Sequence, residues 1–379
     1  MSDKIKILFI SVGLTVGGGE VMLYNLLRQL DRTRFEPVVV SLIYRGRYCD
    51  LIEELNIPVY VLGMNPGKPS LAKFNKLLGI VRHEQPDILQ GWMYHGNFSA
   101  QLLNWLSGGK TPVIWSIHHS LHKISAEKPL TQALIRLGAI TGKSVTKVAY
   151  VSERSQTQHI KLGYSHQNAC FIPNGFDISG LKPDPTAKQR LTQELGISED
   201  SFLIGAIARF HPMKDQPNFI RAASILLQQY PDTHFVMVGT DVDWNNPELT
   251  TLIEELDIKD RIHLLGQRTD IPSITPALDI FTSSSAFGEA FPLVIGEAMS
   301  CGVPCVVTDI GDSGAIVGKL GKVVPPKDPK AIADAWSELI SMDKSAREEL
   351  GRKSRQKIID LYALDAVVAQ YEQLYESVT

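Results

Sequence analysis

Short runs rich in β-branched residues alternate with longer amphipathic stretches from one end of the chain to the other, and this constrains the fold more than any other feature. Alternation of that kind marks parallel sheets covered by helices on both faces. In the first half the strand-like runs lie near Ile5 to Val12, Pro37 to Leu42, Val59 to Leu62, Ile88 to Trp92, Val113 to Ile117, Val148 to Val151 and Cys170 to Ile172. Helices are expected between them, most clearly over Glu20 to Leu30, Leu71 to Arg82 and Ser152 to Leu162, the last opened by Ser152 as its N-cap. The second half repeats the pattern near Leu203 to Ala208, His234 to Val238, Ile262 to Leu265, Ile280 to Thr282, Cys305 to Thr308 and Val323 to Val324. Between the halves, Gly180 to Pro185 holds two prolines and no periodic pattern, which reads as a linker. The expected class is α/β, with two Rossmann-like, doubly wound parallel-sheet domains, and 379 residues is a natural length for two.

Composition narrows the function classes. Hydrophobic residues at 44% and charged residues at 21% exclude a disordered chain, and no run approaches the ~18 apolar residues that a membrane-spanning helix needs. Four cysteines, at 49, 170, 301 and 305, are too few for a disulfide framework and lack zinc-ligand spacing, so they read as reduced, buried thiols. The run Lys4 to Val12 has the flank of a signal peptide but passes straight into Gly17-Gly18-Gly19-Glu20 without a small-residue cleavage site. A cytoplasmic first strand is the expected reading, with peripheral attachment to the cytoplasmic face of a membrane left open. The net charge of −3 hides an asymmetry: residues 1–180 hold 19 Lys and Arg against 12 Asp and Glu, and the remainder holds 19 against 29. A basic half can face anionic lipid or a phosphorylated substrate, or simply carry more solvated lysines; no nucleic-acid partner is expected.

Ligands of open α/β sheets bind beyond the carboxyl ends of the strands, so two such domains facing each other would form a cleft lined by those ends. After the first strand, Gly13 to Glu20 is a glycine-rich turn opening a helix, fit for close approach of an anionic ligand, but its spacing is neither G-x-G-x-x-G nor a P-loop. In the second half, Arg209 and Lys214 follow a strand directly; a guanidinium and an ammonium there suit a diphosphate. The segment Phe287 to Pro304 is the most informative. Pro292 suits the first turn of a helix, and Gly302 and Pro304 stop it. Glu289 then precedes the helix and Glu297 lies about a turn inside it, flanking an N-terminus able to hold a phosphate. Two carboxylates so placed can accept from sugar hydroxyls, although Glu289 could merely complement the helix dipole.

This segment resembles the E-x7-E motif of retaining glycosyltransferases with the GT-B fold, and the chain resembles glycosyltransferase family 4 over nearly its whole length. The similarity rests on Gly17 to Glu20, Trp92 to Asn97, Ser116-Ile117-His118, Val151-Ser152-Glu153, Ile172 to Gly175, Arg209 with Lys214, and Glu289 with Glu297. The resemblance implies a domain over 1–180 for the acceptor, one over 181–362 for a nucleotide sugar, and a last helix over 363–379 that packs back on the first. It implies that Arg209 and Lys214 hold the donor diphosphate, Glu297 the ribose and Glu289 the transferred sugar. Phe291, Leu293 and Val294 would offer backbone contacts, Gly266, Gln267 and Arg268 would frame the base, and Gly18, Gly19 and Asn174 would complete the donor site. His118 would lie beside the anomeric centre, a satisfied structural histidine being the alternative. Glu20, His95 and Asn97 would face the acceptor.

The implied activity is transfer of a hexose from a nucleotide diphosphate sugar, UDP favoured over GDP, to a glycan or lipid-linked glycan in polysaccharide synthesis. No cofactor or essential metal is expected. His119 and His122 resemble metal ligands but have no carboxylate near them in sequence, and Asp241-Val242-Asp243 only imitates the metal-binding D-x-D of another fold. The loop Gly311 to Ala315 departs from the family's usual pattern. An epimerase of the same fold and a noncatalytic sugar-nucleotide binder are the rival readings. Leu71 to Arg82 alternates apolar residues with Lys73, Lys76 and Arg82, and a second basic stretch runs from Lys123 to Lys147, so either could lie on an anionic membrane. For the helix, packing on the core with its lysines in solvent is the alternative.

Overall fold

The computed structural model describes residues 4–15, 17–65, 70–121 and 124–379. The chain forms two compact units, one of residues 1–175 with 364–379 and one of residues 176–363. The proline-containing stretch 180–185 therefore lies inside the second unit.

The first unit holds a seven-stranded sheet in the order β3-β2-β1-β4-β5-β6-β7, every pair parallel. The strands are β1 (Ile5–Ser11), β2 (Phe35–Ser41), β3 (Val59–Val61), β4 (Ile88–Trp92), β5 (Val113–Ile117), β6 (Lys147–Tyr150) and β7 (Ala169–Phe171). Its crossover helices are α1 (Gly18–Gln29), α2 (Arg47–Glu54), α3 (Leu71–Glu84), α4 (Met93–Leu106), α5 (Pro129–Thr141) and α6 (Glu153–Lys161). Ser152 Oγ caps α6 by accepting from Ser155 N at 3.0 Å. The apolar stripe of α3 faces the core: Leu77, Ile80 and Val81 are buried with Leu8, Val40 and Leu89, and Phe74 and Leu78 pack against them. Of the apolar positions of this helix Leu71, at 85%, stands in solvent, while Lys76 and Arg82 are exposed and Lys73 is half-buried.

The second unit repeats the plan with six parallel strands in the order β10-β9-β8-β11-β12-β13. These are β8 (Phe202–Ile207), β9 (Thr233–Val238), β10 (Ile262–Leu264), β11 (Ile280–Ser283), β12 (Cys305–Thr308) and β13 (Gly321–Val324). The helices are α7 (Ala187–Leu195), α8 (Gln216–Leu227), α9 (Pro247–Glu255), α10 (Ile271–Ile274), α11 (Leu293–Ser300), α12 (Ser313–Val317), α13 (Pro329–Ser341) and α14 (Lys344–Tyr362).

The chain then returns to the first unit as α15 (Leu364–Glu376). Val367, Val368, Tyr371 and Tyr375 are buried in one cluster with Phe9, Phe35 and Trp92, each worth about 1.5–3 kcal/mol of apolar burial. Tyr375 also donates to Gln90 Oε1 at 2.6 Å, so the helix closes one face of the sheet with a buried polar link. All four cysteines are free thiols, three of them buried and Cys170 partly so.

In each sheet the strand order reverses once, between β1 and β4 and between β8 and β11. Loops leaving the carboxyl ends at such a point diverge and open a crevice. Gly18 and Gly19 follow β1, Arg209 and Lys214 follow β8, and Glu289 follows β11, all at such points, whereas His118, Asn174 and Gly266 to Arg268 follow the other strands β5, β7 and β10.

Candidate active site

In the second unit, Arg209 lies on the loop after β8, is exposed, and has no ion pair among the described residues. Five residues on, Lys214 Nζ donates to the carboxylate of Glu289, in the loop after β11. Both side chains are largely buried, at 17% and 10% exposure. Ser285 Oγ donates to Glu289 Oε1 at 2.8 Å, and Thr308 Oγ1 holds the Ser285 carbonyl at 2.6 Å. The two loops are further joined by Ser284 Oγ to Lys214 O and by Ala286 N to Met213 O, each 2.8 Å. Glu289 is therefore held from three strand ends.

The loop Gly311 to Ala315 supports the same residue. Gly311 has φ +55°, and a Cβ there would stand 2.2 Å from Glu289 O, so only glycine lets this loop lie against the Glu289 backbone. Asp312 N then donates to Ala290 O at 2.8 Å. The departure from the family's usual sequence at this loop keeps a tight backbone seat under Glu289.

Helix α11 begins where expected, with Pro292 as its N-cap instead of inside the first turn, and no side chain caps it. Uncapped N–H groups at Leu293 and Val294 attract an anion. Phe291 is anchored by stacking on Phe176 at 6.2 Å and meeting Tyr362 edge-on at 5.5 Å. Gly302, at φ +75°, ends the helix. Glu297, a turn inside, keeps a partly open face, yet burial raises its carboxyl to about 7. No described side chain donates to it. An unpaired, half-desolvated carboxylate beside an uncapped helix N-terminus is the electrostatic mark of a ligand site.

Gly266, at φ +65°, turns the chain after β10, its N–H donating to Val242 O at 2.8 Å. Gln267 is exposed, while the Arg268 guanidinium is engaged by Glu194 and Asp270. This stretch therefore offers backbone, not a free cation. In the D-x-D look-alike, Asp243 Oδ1 caps a turn by accepting from Asn245 N at 2.8 Å.

In the first unit, Gly17 is the extended N-cap of α1, and the Glu20 carboxylate folds back so closely that a Cβ on Gly17 would lie 2.5 Å from it. Burial raises the Glu20 pKa. Gly18 is exposed, and Gly19 O accepts from Trp92 Nε1 at 2.9 Å. The His118 ring packs against Trp92 with centroids 4.4 Å apart, tilted by 31°. Burial pushes its pKa down to about 3 against the upward pull of the Asn174 side chain. Neither ring nitrogen makes a hydrogen bond of normal geometry, so Asn174 acts by proximity. Met93, directly after Trp92, takes φ +65°, a strained value for a residue with a side chain.

The acceptor-side candidates divide. His95 is partly buried, which lowers its pKa. Asn97 is fully occupied: its amide donates to Ser116 O at 3.2 Å and accepts from Ser116 N at 3.1 Å, joining α4 to β5. His119 does find a carboxylate, since Glu127 folds back to 2.8 Å from Nε2, a contact that sequence distance concealed. His122 lies outside the described residues, and among those described no three potential ligands converge on one point. Sequence reasoning missed Ser285 and Thr308, which carry no local signal beyond the serine run 283–285.

Residues 16–179 match the family model Glycosyltransferase Family 4, and residues 187–357 match Glycosyl transferases group 1. The chain belongs to glycosyltransferase family 4. Its two parallel-sheet units are those of the GT-B fold, and it is a transferase enzyme. This glycosyltransferase is 25% identical to Anabaena Alr3699/HepE crystallised with UDP, over 98% of this chain and 100% of that one, with a TM-score of 0.86. It is likewise 25% identical to N-acetyl-alpha-D-glucosaminyl L-malate synthase of Bacillus anthracis over 97% of each chain. To the UDP-Gal:alpha-D-GlcNAc-diphosphoundecaprenol alpha-1,3-galactosyltransferase of Escherichia coli it is 26% identical, over 69% of this chain and 68% of that one.

Proposed function

We propose that this glycosyltransferase moves a hexose from a UDP-sugar, with retained anomeric configuration, to a hydroxyl of a glycan or lipid-linked glycan in surface or exported polysaccharide synthesis, at the cytoplasmic face of a membrane. The observation that carries the reading is the grouping of the unpaired Arg209, the Lys214–Glu289 pair and the uncapped α11 N-terminus at one switch point. Charge that develops on a departing diphosphate is stabilised best by donors already in place, each worth about 3–4 kcal/mol in the transition state. Supporting the nucleotide choice, the Anabaena relative was crystallised with UDP, and again with UDP and glucose. Supporting the acceptor class, the Escherichia coli relative is named for an undecaprenol diphosphate acceptor.

In the proposed reaction the bond from the anomeric carbon to the phosphate oxygen breaks, and the acceptor oxygen bonds that carbon on the same face. The acceptor proton passes to the departing phosphate. Arg209 and Lys214 neutralise the diphosphate, Glu289 accepts from a hydroxyl of the sugar, and Glu297 from the ribose. His118, neutral at any physiological pH, serves as a hydrogen-bonding group. No divalent ion is required by this arrangement, so turnover persists in a chelator.

The test is turnover of a panel of UDP- and GDP-sugars with lipid-linked and free glycan acceptors, with the anomeric configuration of the product read by NMR. Inversion, or release of a different nucleotide sugar from donor alone, overturns the reading.

A further inference from the structure

Turns that precede strands lie on the opposite edge of the first sheet from the loops that hold Gly19 and His118. At that edge the ends of α4, α5 and α6 are drawn together. Gln101 Nε2 lies 3.4 Å from Ser144 Oγ, Asn168 Nδ2 donates to Gly142 O at 2.8 Å, and Tyr164 OH donates to Ile135 O at 3.0 Å. A Cβ on Gly163 would touch Ala139 at 3.6 Å.

These ends expose what a soluble surface normally covers. Ile140 is 71% exposed, Leu106 56% and Trp105 45%. Lys110, Lys143 and Lys161 stand on the same three ends, and none has an ion pair among the described residues. The charge imbalance concentrates here: from Ile88 to Gly175 there are eight Lys and Arg and only two acids, Glu127 and Glu153. Glu127 is engaged by His119, and Glu153 opens α6 at the other edge. Glu84 and Asp87, in the turn before β4, are held by Lys6.

We infer that this edge is a docking surface for an anionic lipid bilayer, with Trp105, Leu106 and Ile140 entering the headgroup layer and the three lysines pairing with lipid phosphates. Exposed tryptophan and aliphatic side chains ringed by lysine are what the interface of such a bilayer holds, through apolar burial and attraction together. A second copy of the chain fits poorly, because an isologous contact would set lysine against lysine. The surface differs from the α3 stripe, whose Leu77, Ile80 and Val81 are buried in the core. It rests on the membrane setting proposed above and not on the identity of the acceptor, since it leaves the carboxyl-end loops uncovered.

The test is co-sedimentation of the full chain with vesicles of phosphatidylcholine, with or without about one-third phosphatidylglycerol. Binding to the anionic vesicles that weakens in high salt is expected. The pairs Trp105→Ser with Ile140→Ser and Lys110→Glu with Lys143→Glu should each weaken it on the order of tenfold or more, with unchanged circular dichroism and donor turnover. Wild-type binding that both pairs leave intact overturns the surface and leaves the membrane setting standing. Absence of wild-type binding overturns both, and a concentration-dependent dimer broken by the Trp105→Ser, Ile140→Ser pair reassigns the face to self-association.

Discussion

Lys214 Nζ donates to the same carboxylate, Glu289, that Ser285 Oγ reaches at 2.8 Å, so the ammonium at the end of β8 and the acid before α11 form one unit. The two residues act together on a bound donor, the cation meeting phosphate and the acid meeting sugar. Lys214→Ala should lower kcat/KM by about 10²–10³, and Arg209→Ala by a similar factor. Lys214→Ala should also cost about 2 kcal/mol of stability, because Glu289 keeps its burial and loses its counter-charge. Steady-state kinetics and denaturant melts check both; wild-type-like rates for both variants would remove these cations from the mechanism.

Gly311→Ala tests the seat under Glu289. The new methyl group meets the Glu289 carbonyl in a backbone region that alanine avoids. We expect a loss of about 1–3 kcal/mol and a fall in kcat of tenfold or more, with Ser285→Ala giving a milder fall and little loss of stability.

Glu297 links pH to stability and to donor binding. Its carboxyl lies near 4.5 in an unfolded chain and is raised to about 7 in the fold, so between those values the folded state holds a proton that the unfolded state has released. Stability of the ligand-free protein should therefore decline as pH rises from 4.5 to 7, by on the order of 3 kcal/mol, and stay level above that. Glu297→Gln should match the wild type near pH 4.5 and exceed it at pH 8, while binding UDP-sugar at least tenfold more weakly. Denaturant midpoints at the two pH values, with calorimetric titration of donor, decide this.

The His118 sign is the reverse. Its folded value, about 3, lies below the usual 6.5, so the unfolded chain binds a proton that the folded imidazole refuses. Its contribution to stability is fully present above 6.5 and fades as pH falls toward 3. In an NMR titration its ring proton should not move between pH 5 and 8; a mid-range inflection assigned to His118→Gln-sensitive signals would show a charged, proton-transferring group instead.

The C-terminal helix is a structural part of the first unit. Tyr375→Phe should cost about 1–2 kcal/mol by leaving Gln90 Oε1 without its buried donor. A chain ending at Ala363 exposes the apolar face formed by Phe9 and Phe35, and we expect it to aggregate, as light scattering would report.

By itself the sequence determined the thirteen strands, the ends of α11 and the places of Arg209, Lys214, Glu289 and Glu297 on strand-end loops. Alternation, caps and prolines act over a few residues, and a few residues suffice to read them. Tertiary structure alone decided which partners those side chains meet. Glu289 is reached by Lys214 from 75 positions away, and Asn97 is consumed by Ser116 from 19. Leu77, Ile80 and Val81 of α3 turned inward, while Trp105 of α4 and Ile140 of α5 turned out. Burial and pairing depend on which strands lie side by side, and that order is set by the whole sheet and not by any segment of it.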